Sequence, residues 1–377
     1  VISRRDIVRA GLCLPMAYAI PAPAAPVPSG ENRDKAETAR FIAAMPKAEY
    51  HVHLEGTLEA EMKFALARRN GLSLPYADAA ALRRSYDFHD LPSFLTLYYG
   101  GMSVLLKEQD FYDLAHAYLT KAASQNILYA EMFFDPQEHL KRGVPMAAVI
   151  GGITRARHDA QRRLGIRSQL ILCFLRDLSA ESAMAALDAA LPMKAHLIGV
   201  GLDSDEKDNP PGKFAAAFAK ARAAGLKVTV HCDLNQKDSL EHIREAIVDL
   251  KVDRIDHGGN ILQSPELVAL AKRRGLYFTV CPGFSGQVVG ADGRIDVVRG
   301  MLDQGLNVTI NSDDPAYMGS QYLRDVLIAA QARSALTRQE LVRIERNAFN
   351  AAWISPKERQ LYLDRLDAFA RTWGVAG

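Results

Sequence analysis

The segment Ala48-Glu49-Tyr50-His51-Val52-His53-Leu54-Glu55-Gly56 carries two histidines one residue apart among β-forming residues. In an extended strand alternate side chains share a face, so His51 and His53 form a chelating pair. Neutral imidazole is the commonest protein ligand of zinc, and a catalytic site takes about three or four protein ligands with a position left for water. Taken alone, the pair would suit two hydrogen-bonded histidines on a half-buried strand, so the remaining ligands have to come from downstream. The candidates are His231 and Asp233, His257, and Asp313 with Asp314. Each has a simpler alternative: His231 could cap a strand end, and Asp313-Asp314-Pro315 could open a helix. His257, in Asp256-His257-Gly258-Gly259, could be a ligand or a base, and the glycines suit close approach to the backbone. No chemistry is assigned to His89, His116, His139, His158, His196 or His242, which lie in helical or surface-like contexts or at strand starts.

These residues can meet only if the fold gathers them. Beyond residue 40, strand-like runs alternate with helical stretches, the pattern of βα units and a parallel sheet. The runs are Lys47–Leu54, Ile127–Phe134, Ser168–Leu175, His196–Asp203, Leu226–Asp233, Arg254–Gly258, Tyr277–Pro282 and Asn307–Asp314. Eight such runs predict a (β/α)₈ TIM barrel, whose sites are built at the C-terminal ends of the strands. His51 and His53 end the first run, His231 and Asp233 the fifth, His257 the sixth, and Asp313 and Asp314 the eighth. Imidazoles and carboxylates converging on one mouth suit a hard-to-borderline divalent ion, zinc first. A second ion in barrels of this type commonly needs a modified lysine on strand four; His196–Asp203 contains none, so one zinc per chain is expected. The stretch Glu59–Gln125 is too long for a single crossover and reads as a helical insertion after strand 1. It includes Leu91–Leu106, with Phe94, Tyr98 and Tyr99, which is expected to cover the barrel mouth.

The 377 residues carry 46 basic and 44 acidic side chains, and no Lys/Arg run is interleaved with aromatics, which excludes a nucleic-acid footprint and favours a small-molecule partner. Cys13, Cys173, Cys232 and Cys281 are scattered without framework spacing and read as buried free thiols. Residues 1–30 differ from the rest: Arg4-Arg5, an apolar stretch from Ala10 to Ile20, then a segment of proline and alanine. This resembles a twin-arginine export signal, implying a periplasmic protein that begins between Ala22 and Gly30; a cytoplasmic extension is the alternative. The apolar stretch is too short to span a bilayer, so no membrane span is expected in the mature chain. The remaining domain is taken as residues 40–377.

Several motifs together resemble the adenosine/adenine deaminase family of the metal-dependent amidohydrolases. They are Pro46–Glu49, His51–Glu59, Phe133-Phe134-Asp135-Pro136-Gln137, Gly201-Leu202-Asp203-Ser204, Arg254–Gly258, Thr279–Pro282 and Asn311–Tyr317. The Leu54-Glu55-Gly56 and Phe133–Gln137 segments are closer to the adenine deaminase branch. The resemblance implies that His51, His53, His231 and Asp313 hold zinc and that His257 positions the attacking water. It further implies that Asp314 bonds the purine imidazole nitrogen and that Glu55, Ser204 and Asp314 contact substrate. Where the family's nucleoside enzymes have an aspartate serving the ribose, Glu55 would intrude on the sugar space, which tilts the expected substrate toward a free base.

Two departures stand out. The family's His-Ala-Gly-Glu, whose glutamate protonates the ring, is here His231-Cys232-Asp233-Leu234, and leucine transfers no proton. Asp233, two residues from His231 and so on the same strand face, is the expected replacement. The polar pair expected after Cys281-Pro282 is Gly283-Phe284. The expected function is zinc-dependent hydrolytic deamination of adenine, adenosine or a related aminopurine with release of ammonia. Hydrolysis of another cyclic amide or amidine, and a purine-binding homologue impaired in turnover, are the alternatives. Oligomeric state is not read from the chain.

Overall fold

A computed structural model describes residues 30–283, 287–290 and 293–375. Contacts divide the chain into residues 1–37 and 38–377, and the architecture below is that of the second unit. The twin-arginine-like stretch and Cys13 lie outside the described residues, as does Phe284.

Seven strands come first: β1 (Lys47–Glu49), β2 (Ile127–Phe134), β3 (Arg167–Leu175), β4 (Gly199–Asp203), β5 (Lys227–Cys232), β6 (Arg254–His257) and β7 (Tyr277–Val280). An antiparallel hairpin, β8 (Gln287–Gly290) and β9 (Gly293–Asp296), intervenes before β10 (Asn307–Ile310). Apart from the hairpin, every strand pairs in parallel with the next one along the chain, giving the eight-stranded order β1-β2-β3-β4-β5-β6-β7-β10. Parallel strands of this kind are covered on both faces by the inner core and the outer helices, so they read as nearly unbroken apolar runs. The last six residues of β3 are all buried. The expected TIM barrel is the observed fold.

Some strand ends differ from expectation, each for a local reason. β1 stops at Glu49, because the backbone N–H groups of Tyr50 and His51 both donate to the Asn311 side-chain oxygen, at 3.0 and 3.3 Å, rather than to a neighbouring strand. The chain stays extended beyond that point. Asp313 N–H donates to His51 C=O (2.9 Å) and His53 N–H to Asp313 C=O (3.0 Å), while Val52 C=O accepts from Phe133 N–H (3.0 Å). The histidine segment therefore fills the seam between the ends of β2 and β10. The run beginning at His196 becomes a strand only at Gly199, since Leu191–His196 forms a 3₁₀ turn opened by Pro192. The hairpin after β7 was not anticipated.

The insertion after β1 folds as helices Ala60–Arg69, Ala79–Arg84 and Leu91–Gly101, before the crossover helix Glu108–Ser124. Leu91–Gly101 begins with a capping box in which the Asp90 carboxyl accepts from Ser93 N–H, with Pro92 in its first turn. Its buried Phe94 and Tyr98 pack with Met102, Ala316 and Tyr317, so this helix rests on the same segment that carries Asp313 and Asp314. Lys63 fastens the contact: Nζ donates to Tyr86 and Tyr317 hydroxyls at 2.8 Å and lies 4.1 Å from the Tyr317 ring centroid. Among the described residues no helix is long and apolar enough to cross a membrane, and Cys173, Cys232 and Cys281 are buried and free.

Candidate active site

At the C-terminal ends of the strands the three histidines His51, His53 and His231 each have Nδ1 turned outward. His51 Nδ1 faces Thr279 C=O and Oγ1 at 3.2 and 3.0 Å, His53 Nδ1 faces Asp203 Oδ2 at 3.5 Å, and His231 Nδ1 faces Asp256 Oδ2 at 3.5 Å. An acceptor behind a ring nitrogen keeps the proton there, which leaves the Nε2 lone pair for the interior. The three Nε2 atoms do converge. His53 Nε2 lies 3.1 Å from His231 Nε2, and Asp313 Oδ1 lies 3.3 Å from His51 Nε2 and 3.5 Å from His53 Nε2. Ligands about 2.0–2.1 Å from one zinc ion stand about 3.3–3.4 Å apart in a tetrahedron, so the donor set fits a single divalent ion. Opposed lone pairs at this distance are costly unless a cation lies between them. Burial lowers the pKa of His53 to about 4 and pushes His231 well below its ordinary value, which favours the neutral imidazole a divalent ion would need.

Backbone strain marks the same region. His257, Asp313, Ser204 and Asn235 have φ of 59°, 65°, 76° and 58°, at or just beyond the ends of β6, β10, β4 and β5. A non-glycine residue held there costs about 1–3 kcal/mol, and such residues cluster where surrounding structure fixes a functional geometry. All four line a single cavity of about 320 Å³.

That cavity has three kinds of wall. The metal-facing wall contains His53, His231, His257 and Asp313; a carboxyl-rich wall contains Asp135, Asp203, Asp233 and Asp314; and Phe94, Leu95, Tyr98 and Leu234 supply an apolar one. Asp233 donates its N–H to Glu206 Oε2 at 2.7 Å and places Oδ1 3.3 Å from His257 Nε2. Burial, then the Glu206 charge, raise its pKa well above the usual carboxylate range. His257 is lowered by burial to about 4. Asp314 Oδ1 is buried with no hydrogen-bond partner, and Gly56 is what lets it sit there: a Cβ on Gly56 would meet Asp314 Cα at 2.8 Å and Oδ1 closer still.

Of the residues expected from sequence, His51, His53, His231, His257, Asp233, Asp313 and Asp314 are brought together, and Ser204 lines the cavity. Glu55 is placed differently. Its Oε1 accepts from Asp135 N–H at 3.2 Å and meets His139 Nε2 at 2.7 Å, and it is not among the residues lining the cavity. Its Oε1 is thus engaged behind the wall, while its Oε2 is buried without a hydrogen-bond partner. His139, to which the sequence assigns no chemistry, is fully buried as its partner; His242, in the same group, is buried against Glu206 at 2.6 Å. Sequence reasoning also missed Asp135, Asp203 and Asp256. Asp135 follows β2 and Asp203 ends β4, so the rule that picked the histidines would have found both.

A family model described as adenosine deaminase matches residues 46–369. The chain belongs to the adenosine deaminase family. It is accordingly a metal-dependent hydrolytic deaminase of the amidohydrolase superfamily. It is 54% identical to an uncharacterized deaminase of Schizosaccharomyces pombe, over 89% of this chain and 98% of the relative. It is 47% identical to an adenine deaminase of Rhodospirillum rubrum, over 87% and 98%. Among solved structures, an adenine deaminase from Arthrobacter aurescens superposes with a TM-score of 0.82 at 38% identity, covering 87% of this chain and all of that one (100%). An amidohydrolase from Burkholderia ambifaria, solved with bound zinc, superposes at 0.79 and 27% identity, covering 90% and 95%.

Proposed function

We propose that this deaminase takes adenine or a closely related aminopurine as substrate and that one zinc ion is held by His51, His53, His231 and Asp313. The observation that carries this reading is the convergence of three Nε2 atoms and Asp313 Oδ1 at 3.1–3.5 Å on the wall of a cavity otherwise rich in acceptors. Relatives and a structural neighbour bearing the name adenine deaminase, at 38–47% identity, support it. A divalent ion at such a site lowers the pKa of water to about 7 and so supplies a nucleophile at neutral pH.

The chain's own residues do the rest. Water adds to the ring carbon bearing the amine; a C–O bond forms, the C–N bond breaks and ammonia leaves with a proton taken from the water. His257 orients the attacking water, a role supported by its Nε2 lying 3.3 Å from Asp233 Oδ1 and 3.8 Å from Asp313 Oδ2. Asp233 is the proton carrier to the ring and the leaving amine, in the place of the family glutamate that Leu234 cannot supply. Asp314 takes the imidazole nitrogen of the purine, and the aromatic residues of helix Leu91–Gly101 cover the ring and exclude water.

The test is ammonia release by zinc-loaded protein from adenine, adenosine and N6-methyladenine. Adenine turnover with one zinc per chain is expected; release from none of them, or two zinc ions per chain, would overturn the reading. Asp233→Asn should lower kcat at least about a hundredfold, the low end of acid–base assistance, with metal content unchanged. Near-normal turnover by that variant would remove Asp233 from the mechanism.

A further inference from the structure

The carboxyl-rich wall holds more acceptors than the deamination chemistry uses. Asp233 faces His257, Asp314 is assigned the imidazole nitrogen, and Asp203 Oδ2 stands 3.5 Å behind His53 Nδ1. Asp135 has only the neighbouring Asp203 carboxyl for a side-chain partner, a second acid with which it can share one proton but which brings no N–H or hydroxyl donor of its own. It is 1% exposed, lines the cavity, and no protein donor reaches either of its carboxyl oxygens. It is not there to cap a helix: Asp135 precedes helix Pro136–Lys141, yet its side chain accepts no backbone N–H of that helix. Its backbone is held in place nonetheless, because its N–H donates to Glu55 Oε1, which His139 in turn fixes. A buried carboxyl without a donor costs several kcal/mol unless a ligand supplies one.

Its position says which part of a purine that is. Asp135, Asp203 and a His53 nitrogen lie within 4.8 Å of one another, and so do His53, Asp313 and Asp314. Asp135 and Asp314 thus flank the His53 side of the metal centre, while Asp233 and Leu234 lie at the β5 end, where Asp233 meets His257. If the amine-bearing carbon is at the metal and the imidazole nitrogen at Asp314, the five-membered ring points to Asp135 and the six-membered ring to Asp233 and Leu234.

We propose that Asp135 accepts the ring N–H of the five-membered ring, the group a free purine base has and a nucleoside has replaced by its sugar, and so is the residue that restricts the enzyme to free bases. This rests on the aminopurine reading above. The wall that Glu55 was expected to form is formed instead by Asp135, with Glu55 as its positioning residue.

The experiment compares adenine with 9-methyladenine, and purine with 9-methylpurine, in wild type, Asp135→Ala and Asp135→Asn. Wild type should favour the N–H form in each pair at least about tenfold, in kcat/KM for the adenines and in calorimetric Kd for the purines. Asp135→Ala should erase that preference by losing roughly 10- to 100-fold on the N–H form only, the effect of one buried hydrogen bond. Asp135→Asn, which keeps an acceptor oxygen, should recover part of it. Equal losses on both members of a pair, or no preference in wild type, would overturn the proposal. So would a second equivalent of bound metal that Asp135→Ala removes. If no adenine is turned over, the deamination reading fails by itself, and the purine binding comparison still decides the role of Asp135: absence of purine binding, or binding blind to the methyl group, overturns it.

Discussion

Asp256 is fully buried beside the proposed metal centre and faces two of its proposed ligands, His231 directly and His51 through Thr279. Its Oδ1 accepts from Thr279 Oγ1 at 2.7 Å and its Oδ2 from Thr229 Oγ1 at 2.7 Å, while Oδ2 also lies 3.5 Å from His231 Nδ1. Thr279 Oγ1 is in turn 3.0 Å from His51 Nδ1. Replacing Asp256 by Asn keeps the shape but turns one acceptor into a donor. An amide nitrogen placed toward His231 would oppose the Nδ1 proton and push it to Nε2, where the lone pair is needed. Placed toward Thr279 it does less harm, since that hydroxyl can accept and His51 keeps the Thr279 carbonyl at 3.2 Å. The milder arrangement wins, so Asp256→Asn should weaken zinc binding by about tenfold and Asp256→Ala by nearer to a hundredfold, the range for losing a carboxylate behind a ligating histidine. Asp256→Ala also removes the acceptor of the buried Thr279 hydroxyl, at about 1–3 kcal/mol, whereas Thr229 Oγ1 keeps the Arg254 carbonyl at 3.2 Å. Thr229→Val is the control, because Thr229 touches Asp256 but no ligand. Competition against a fluorescent zinc chelator at fixed pH gives the affinities. An Asp256→Ala affinity within about threefold of wild type would refute the argument that this carboxylate orients His231.

Gly56→Ala should lower kcat/KM roughly a hundredfold by moving the Asp314 carboxyl, since displacements of an ångström or so are felt at that scale, whereas Gly100→Ala, with nothing within 4 Å of the added methyl, should leave it unchanged. Equal activities in the two variants would show that Asp314 is not seated by Gly56. Burial lowers Lys63 to about 7 from 10.5, so between those values the unfolded chain binds the extra proton and folding stability gained through this residue rises with pH, by at most about 1.4 kcal/mol per unit. Urea unfolding at pH 7 and pH 10 should therefore show the stability difference between wild type and Lys63→Met moving in favour of wild type as pH rises; a flat difference would place the Lys63 proton elsewhere.

What could be read from the chain, and what could not, divides along a physical line. Strand direction and side-chain alternation are local, and they were enough to put His51, His53, His231, His257, Asp313 and Asp314 at one barrel mouth, because a parallel barrel collects strand ends whatever their separation in sequence. Which nitrogen of each histidine faces inward is not local. It depends on Thr279 behind His51, Asp203 behind His53 and Asp256 behind His231, residues on β7, β4 and β6 that only the closed barrel brings into register. Glu55 shows the same limit from the other side. Its extra methylene was read as reaching further into the cavity, yet reach has no direction until a partner is known, and the buried His139, from a helix beyond β2, draws the carboxylate behind the wall. That displacement frees the inner face at this point for Asp135, a shorter acid reaching in from the end of the neighbouring strand. The proposed metal ligands are thus written at strand ends, where periodicity exposes them, while the orientation of the imidazoles and of the wall carboxylates is set by pairs such as Glu55 with His139 and His53 with Asp203. What the chain does not display is the pairing itself, which exists only once the barrel has closed.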